Sequence, residues 1–152
     1  MPLTIILDTS PLSTVTKRRG VPEADACRQW VADCRRAGHR VFAPAIAYYE
    51  VARELERSGG VAGLSRLDAF CAMPDCYVPL TDTALHLAVK LWAQARNARR
   101  QTADPKELDC DVLIAAQALD LGVSVADLIV ATSNIGHLTQ FAPAALWASI
   151  KP

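Results

Sequence analysis

Leu3-Thr4-Ile5-Ile6-Leu7-Asp8-Thr9-Ser10-Pro11 is the stretch that decides the fold. A short apolar run with β-branched residues and no in-out alternation predicts a strand buried on both faces, the signature of a parallel sheet. It stops on cap and turn chemistry. Ser10 is expected as an N-cap and Pro11 as the first helical position of a short helix reaching about Lys17, with Gly20 beyond it. Asp8 therefore stands at the carboxyl end of a central strand, where open α/β sheets place their working crevice. An Asp before Thr-Ser-Pro is also ordinary N-cap or turn chemistry, so Asp8 gains meaning only from what joins it.

The rest of the chain repeats the alternation. Ala26, Trp30, Val31 and Cys34 recur at helical spacing from Pro22 to Gly38, with Arg35 and Arg36 in the last turn. Val41-Phe42-Ala43 predicts a second strand, and Pro44 opens a helix through Glu50 and Leu55 to Ser58-Gly59-Gly60. A helix over about 62–72 follows. Tyr77-Val78-Pro79-Leu80 reads as an edge strand because of its proline, and Thr81 or Asp82 caps a helix to about Arg100. Ala103-Asp104-Pro105 reads as a loop, and Asp109 as the cap of a helix ended by Gly122. Leu128-Ile129-Val130-Ala131 predicts another buried strand. Strands alternating with helices predict a three-layer α/β fold, a central parallel sheet flanked by helices, in one domain spanning residues 1–152.

Composition narrows the function classes. A 51% hydrophobic share in 152 residues builds a substantial core. Sixteen basic and sixteen acidic side chains cancel, so any grip on nucleic acid must come from a local patch. Apolar runs fall well short of the roughly 20 residues that cross a bilayer, and Met1-Pro2 leads straight into the first strand with no signal peptide, so the expected location is the cytoplasm. The five cysteines, Cys27, Cys34, Cys71, Cys76 and Cys110, lack zinc-site spacing and read as reduced thiols. Cys110 stands out because it lies between two acids.

Four polar residues gather at the expected crevice: Asp8, Glu50, Asp111 and Asn134, the last just past the strand that ends in Thr132-Ser133. Glu50 is able to pair with Arg53 three residues on, but Ile46 and Ala47 make its face partly apolar, and a carboxylate there needs a partner. Asp109 and Asp111 lie roughly 200° apart on a helix, so they cannot share a pocket. Asp111, over Ile114, Ala115 and Ala118, is expected to point inward and Asp109 to cap. Clustered carboxylates suit a hard divalent ion such as Mg²⁺, and the layout is that of a metal-dependent phosphodiesterase site. Thr9, Ser10, Thr132 and Ser133 lie close enough in sequence to hydrogen-bond those acids or a phosphate. Two basic groups, Lys17-Arg18-Arg19 and Arg96, Arg99, Arg100 with Lys106, are candidates for holding a polyanion.

Leu-Asp-Thr-Ser at 7–10, Tyr-Glu-Val at 49–51, Asp-Val-Leu-Ile-Ala-Ala-Gln-Ala-Leu at 111–119 and Ala-Thr-Ser-Asn at 131–134 together resemble the PIN-domain family, most of all its VapC-like toxins. The resemblance spans nearly the whole chain. It implies a PIN-like fold and a ribonuclease using Mg²⁺ or Mn²⁺, with Asp8, Glu50 and Asp111 at the family's acidic positions as metal ligands. It also implies a homodimer held inactive by an antitoxin, whose amphipathic segment lies over the acidic groove. Asn134 departs from the pattern, standing where many members carry a fourth acid, and this puts a second metal ion in question; His137, three residues on, is a surface histidine or a compensating group. The same departure leaves open a catalytically weak or inactive module that binds RNA or protein. A phosphotransferase using Asp8 as nucleophile fits poorly, because Ser10 occupies the place of its second Asp and no phosphate-binding glycine loop is present.

Overall fold

The computed structural model describes residues 1–98 and 105–152. Strand β1 (Thr4–Leu7) leads into α1 (Thr9–Val15) and α2 (Pro22–Arg36); β2 (Arg40–Pro44) leads into α3 (Ala45–Ser58) and α4 (Val61–Ala72). After β3 (Tyr77–Val78) come α5 (Asp82–Asn97) and α6 (Pro105–Leu119), then β4 (Leu128–Thr132) and β5 (Ala144–Leu146). All pairings are parallel in the order β3-β2-β1-β4-β5, so β1 is central and β3 lies at an edge, as its proline predicted. Helices flank the sheet as the three-layer reading required.

Burial explains β1. Ile5, Ile6 and Leu7 are fully buried: Ile5 and Ile6 each lie between a residue of β2 and one of β4, and Leu7 pairs with Ala131 of β4. At the same end of the sheet, α3 leaves β2 directly and β4 finishes on the buried Thr132, so Asp8, Glu50 and Asn134 are delivered to one edge. Gly59 closes α3 in the left-handed conformation at φ 71°, where a glycine carries no Cβ penalty.

Four expectations are corrected. Asp8, not Ser10, caps α1: its Oδ1 accepts the Thr9 N–H, and the helix begins at Thr9, two residues before the Pro11 start that a Ser10 cap requires. Asp109 is not a cap: α6 begins at Pro105, which suits a first helical turn and was expected in a loop. The added turn buries Leu108 against Ala84, Ala88 and Ala95 of α5. Strand β5 was not anticipated; Ala144-Ala145-Leu146 becomes a strand by pairing with Val130, Ala131 and Thr132. The expected helix end at Arg99 and Arg100 and the loop at Ala103-Asp104 lie outside the described residues.

Candidate active site

Asp8 is fixed from three directions. Its backbone N–H donates to the Ala131 carbonyl at 2.9 Å, its Oδ1 accepts from the Thr9 N–H at 2.8 Å, and its Oδ2 accepts from Thr132 Oγ1 at 2.7 Å. The carboxyl is mostly buried, and that burial pushes its pKa up; the two hydrogen bonds oppose the shift and the negative charge of Glu50 adds to it. Glu50, in the second turn of α3, accepts from Thr9 Oγ1 at 2.7 Å and stands 3.8 Å from the Arg53 guanidinium. The expected i,i+3 pair and the inward-facing carboxylate therefore coexist.

Asp111 is half-buried above Ile114, Ala115 and Ala118, all essentially inaccessible to solvent, as the helical pattern predicted. Asp109 lies instead in a separate furrow against α5, so the two acids diverge as the rotation per residue demands. Asn134 forms a short turn, its Oδ1 accepting from Gly136 N–H at 3.1 Å while its own N–H donates to Thr132 Oγ1 at 3.0 Å. Cys110 faces Glu50, and burial, followed by that carboxylate's charge and hydrogen bond, pushes its thiol up to about 12. It stays protonated near neutral pH, so it offers no thiolate nucleophile there.

Asp8, Glu50, Asp111 and Asn134 line one cleft of about 440 Å³. Thr9, Ser10 and Cys110 complete the acidic wall, and Arg53, Lys106 and His137 share the cleft with it. Sequence had flagged Lys106 and His137 but treated Arg53 only as a partner for Glu50. The Lys17-Arg18-Arg19 group is placed otherwise than expected: Lys17 and Arg19 line a different groove, between α1, α2 and α4, together with Arg28, Arg35 and Arg66.

The donor chemistry of the cleft fits a hard divalent ion. Three carboxylates and an amide oxygen are the ligand types that Mg²⁺ selects, and their mutual repulsion is relieved by a bound cation. Among the described residues, no three His, Cys, Asp or Glu side chains already sit as a closed ligand group. Asp8 is turned toward Thr132 and Glu50 toward Thr9. Asp8, Glu50 and Asp111 are the residues that could hold the ion, with Asn134 at the rim.

The sequence profile of the PIN domain matches residues 5–134, from within β1 to Asn134. The chain belongs to the PIN-domain family. Two solved structures share this PIN fold. The VapBC2 structure from Rickettsia felis, bound to a DNA fragment from its promoter, matches with TM-score 0.67 at 12% identity, over 95% of this chain and 99% of that one. The FitAcB structure from Neisseria gonorrhoeae matches with TM-score 0.64 at 16% identity, over 97% and 100%. No curated protein matches this chain in sequence. PIN domains usually bind Mg²⁺, which agrees with the oxygen-donor wall of the cleft.

Proposed function

We propose that this protein is a divalent-metal-dependent endoribonuclease, a single PIN domain over residues 1–152 acting in the cytoplasm as the toxin of a toxin–antitoxin pair. The observation that carries the reading is the meeting of Asp8, Glu50 and Asp111, from three separate elements, in one cleft that also holds Arg53 and Lys106. Asp8 and Asp111 are assigned as direct ligands of Mg²⁺ or Mn²⁺, and Glu50 and Asn134 as residues that ligate through water or orient it. The ion, when bound, lowers the pKa of a ligated water and offsets charge on the phosphoryl oxygens. The protein's own part is to hold the carboxylates rigidly: Thr132 and the Thr9 amide fix Asp8, and the Thr9 hydroxyl fixes Glu50. Arg53 and Lys106 hold the RNA phosphate on the open side.

Two features support the antitoxin. Two of the solved structures that share this fold are VapBC2 and FitAcB. The acidic cleft also suits a basic side chain from an amphipathic segment laid across it. A short neighbouring reading frame that encodes a DNA-binding antitoxin, with the two products copurifying, is the expected genetic setting.

The direct test is cleavage of single-stranded RNA by the purified protein. Cleavage is expected with Mg²⁺ or Mn²⁺ and none in EDTA, and the ion alone is expected to raise Tm, by roughly 1.4 kcal/mol of stability at ten times its Kd. RNA binding with no metal effect on either readout would favour the competing reading, a noncatalytic PIN module, which rests on Asn134. Asn134→Asp separates the two further. An Asp Oδ1 still accepts the Gly136 N–H, so the turn survives while a fourth negative charge is added. Divalent binding is expected to tighten about tenfold, with a rise in activity at limiting metal. Unchanged metal dependence would remove Asn134 from the site.

A further inference from the structure

Tyr48 and Tyr49 stand side by side on α3 and are used differently. Tyr48 is engaged within the protein: its ring meets Tyr77 edge to face at 6.4 Å, and its hydroxyl donates to Asp68 Oδ1 at 2.8 Å. Tyr49 lies outward at 56% exposure, one residue before Glu50, with Arg53 Cζ 5.2 Å from its ring centroid. Arg53 in turn lines the acidic cleft, its Nη2 standing 3.8 Å from Glu50 Oε2. Round the helix Arg53 follows Tyr49 by about 40° and Glu50 follows Arg53 by about 60°, so the order is ring, guanidinium, carboxylate. One arginine joins an exposed aromatic ring to the acidic wall.

We propose that Tyr49 is a stacking platform for one nucleobase of a single-stranded RNA whose neighbouring phosphate lies in the cleft against Arg53 and Lys106. The inference rests on the ribonuclease reading and adds to it a place for the base. The chemistry selects this occupant. A ring covered by a cation on one side offers its other face to a flat π system, and every nucleobase has one. An isolated phosphate or carboxylate would use Arg53 and leave the ring bare. A nucleotide uses both, because its base and its phosphate hang from one sugar. Bases stacked within a duplex have both faces covered, so the platform admits single strands and turns duplexes away.

The plain alternative is an ordinary i,i+4 surface pair, in which Tyr49 only packs on Arg53 and steadies the helix. Such a pair acts on any polyanion alike, with or without bases. Removing the base from the ligand therefore separates the two accounts.

The experiment is fluorescence anisotropy of the full chain with two end-labelled strands of equal length, an oligoadenylate and its abasic counterpart. Ca²⁺, a hard ion for the same carboxylates, replaces Mg²⁺, and a denaturing gel checks that each strand is whole. Wild type is expected to bind the oligoadenylate about tenfold tighter than the abasic strand. Tyr49→Leu keeps apolar bulk and helix propensity but has no π face; it is expected to lose most of that preference and to bind the abasic strand as wild type does. Tyr49→Phe is expected to retain the preference, and circular dichroism to show both variants folded, since the side chain is exposed. In Mg²⁺-dependent cleavage of single-stranded RNA, Tyr49→Leu should raise KM by a similar factor and leave kcat near wild type, because a base held away from the reacting phosphate is bound alike in ground and transition states. Equal binding of the two strands by wild type, a preference that survives Tyr49→Leu, or a loss that falls equally on both strands would overturn the platform and leave the ribonuclease reading standing. A wild type that binds neither strand and cleaves no RNA would overturn both.

Discussion

Asp8→Asn is expected to leave the protein folded while divalent-dependent RNA cleavage falls by about 10³-fold, the scale of removing one group that acts chiefly in the transition state. The amide keeps the shape of the carboxylate. Its oxygen still accepts the Thr9 N–H, so α1 keeps its cap; its nitrogen donates to Thr132 Oγ1, whose own proton turns to the Asn134 carbonyl 3.1 Å away. What is lost is the negative charge. Burial raises the native pKa of Asp8 above its unfolded value, so the native state binds the proton more tightly and stability falls as pH rises through that window. The neutral variant avoids the penalty. Its Tm near pH 7 is expected to equal or exceed that of wild type, and the gap to close as pH falls through the native pKa of Asp8. Added Mg²⁺ should raise the Tm of wild type and leave that of the variant where it was. Wild-type cleavage by the variant would sink Asp8 as a ligand; an unfolded variant would sink the account of its cap.

Much of this arrangement is legible in the chain, for reasons that differ by residue. Strand β1 reads plainly because a residue run buried on both faces has nowhere else to go. Asp111 reads plainly because helical rotation divides it from Asp109 whatever starts the helix. The start itself misleads: Asp109 is a good cap, but the turn from Pro105 gains the burial of Leu108 against α5, and tertiary packing outweighs a local signal. Strand β5 is invisible because Ala-Ala-Leu has no strand preference of its own and takes its state from β4. Arg53 enters the cleft, and Lys17 with Arg19 a different groove, through helix packing that sequence adjacency does not encode. Gln117 enters the sequence reading only as one letter of the 111–119 stretch, because its role needs two partners far away in the chain.

Those partners make Gln117 the residue with the largest expected effect on stability. It is 1% exposed, its Nε2 donates to the Val78 carbonyl at 3.0 Å, and its Oε1 accepts from the Ile46 N–H at 3.1 Å. Ile46 lies in the first turn of α3, whose N-cap is Pro44 and offers no side-chain acceptor, so α6 supplies the cap that the local sequence lacks. One amide thus ties β3 to α3, which carries Glu50, and to α6, which carries Asp111. Gln117→Leu is expected to cost about 2–6 kcal/mol in urea unfolding, since it strands a donor and an acceptor, each at about 1–3 kcal/mol. Activity should drop as well, because two of the three acids lose their common brace. Gln117→Glu sharpens the argument. A protonated carboxyl can still donate to Val78 and accept from Ile46, whereas an ionised one can only accept and confronts the Val78 carbonyl with a second negative oxygen. Burial raises the pKa of that new carboxyl, so the variant should approach wild-type stability in acid and lose it as pH rises through the raised pKa. A pH-independent loss would mean that Gln117 acts by filling space, and that the cap of α3 is supplied elsewhere.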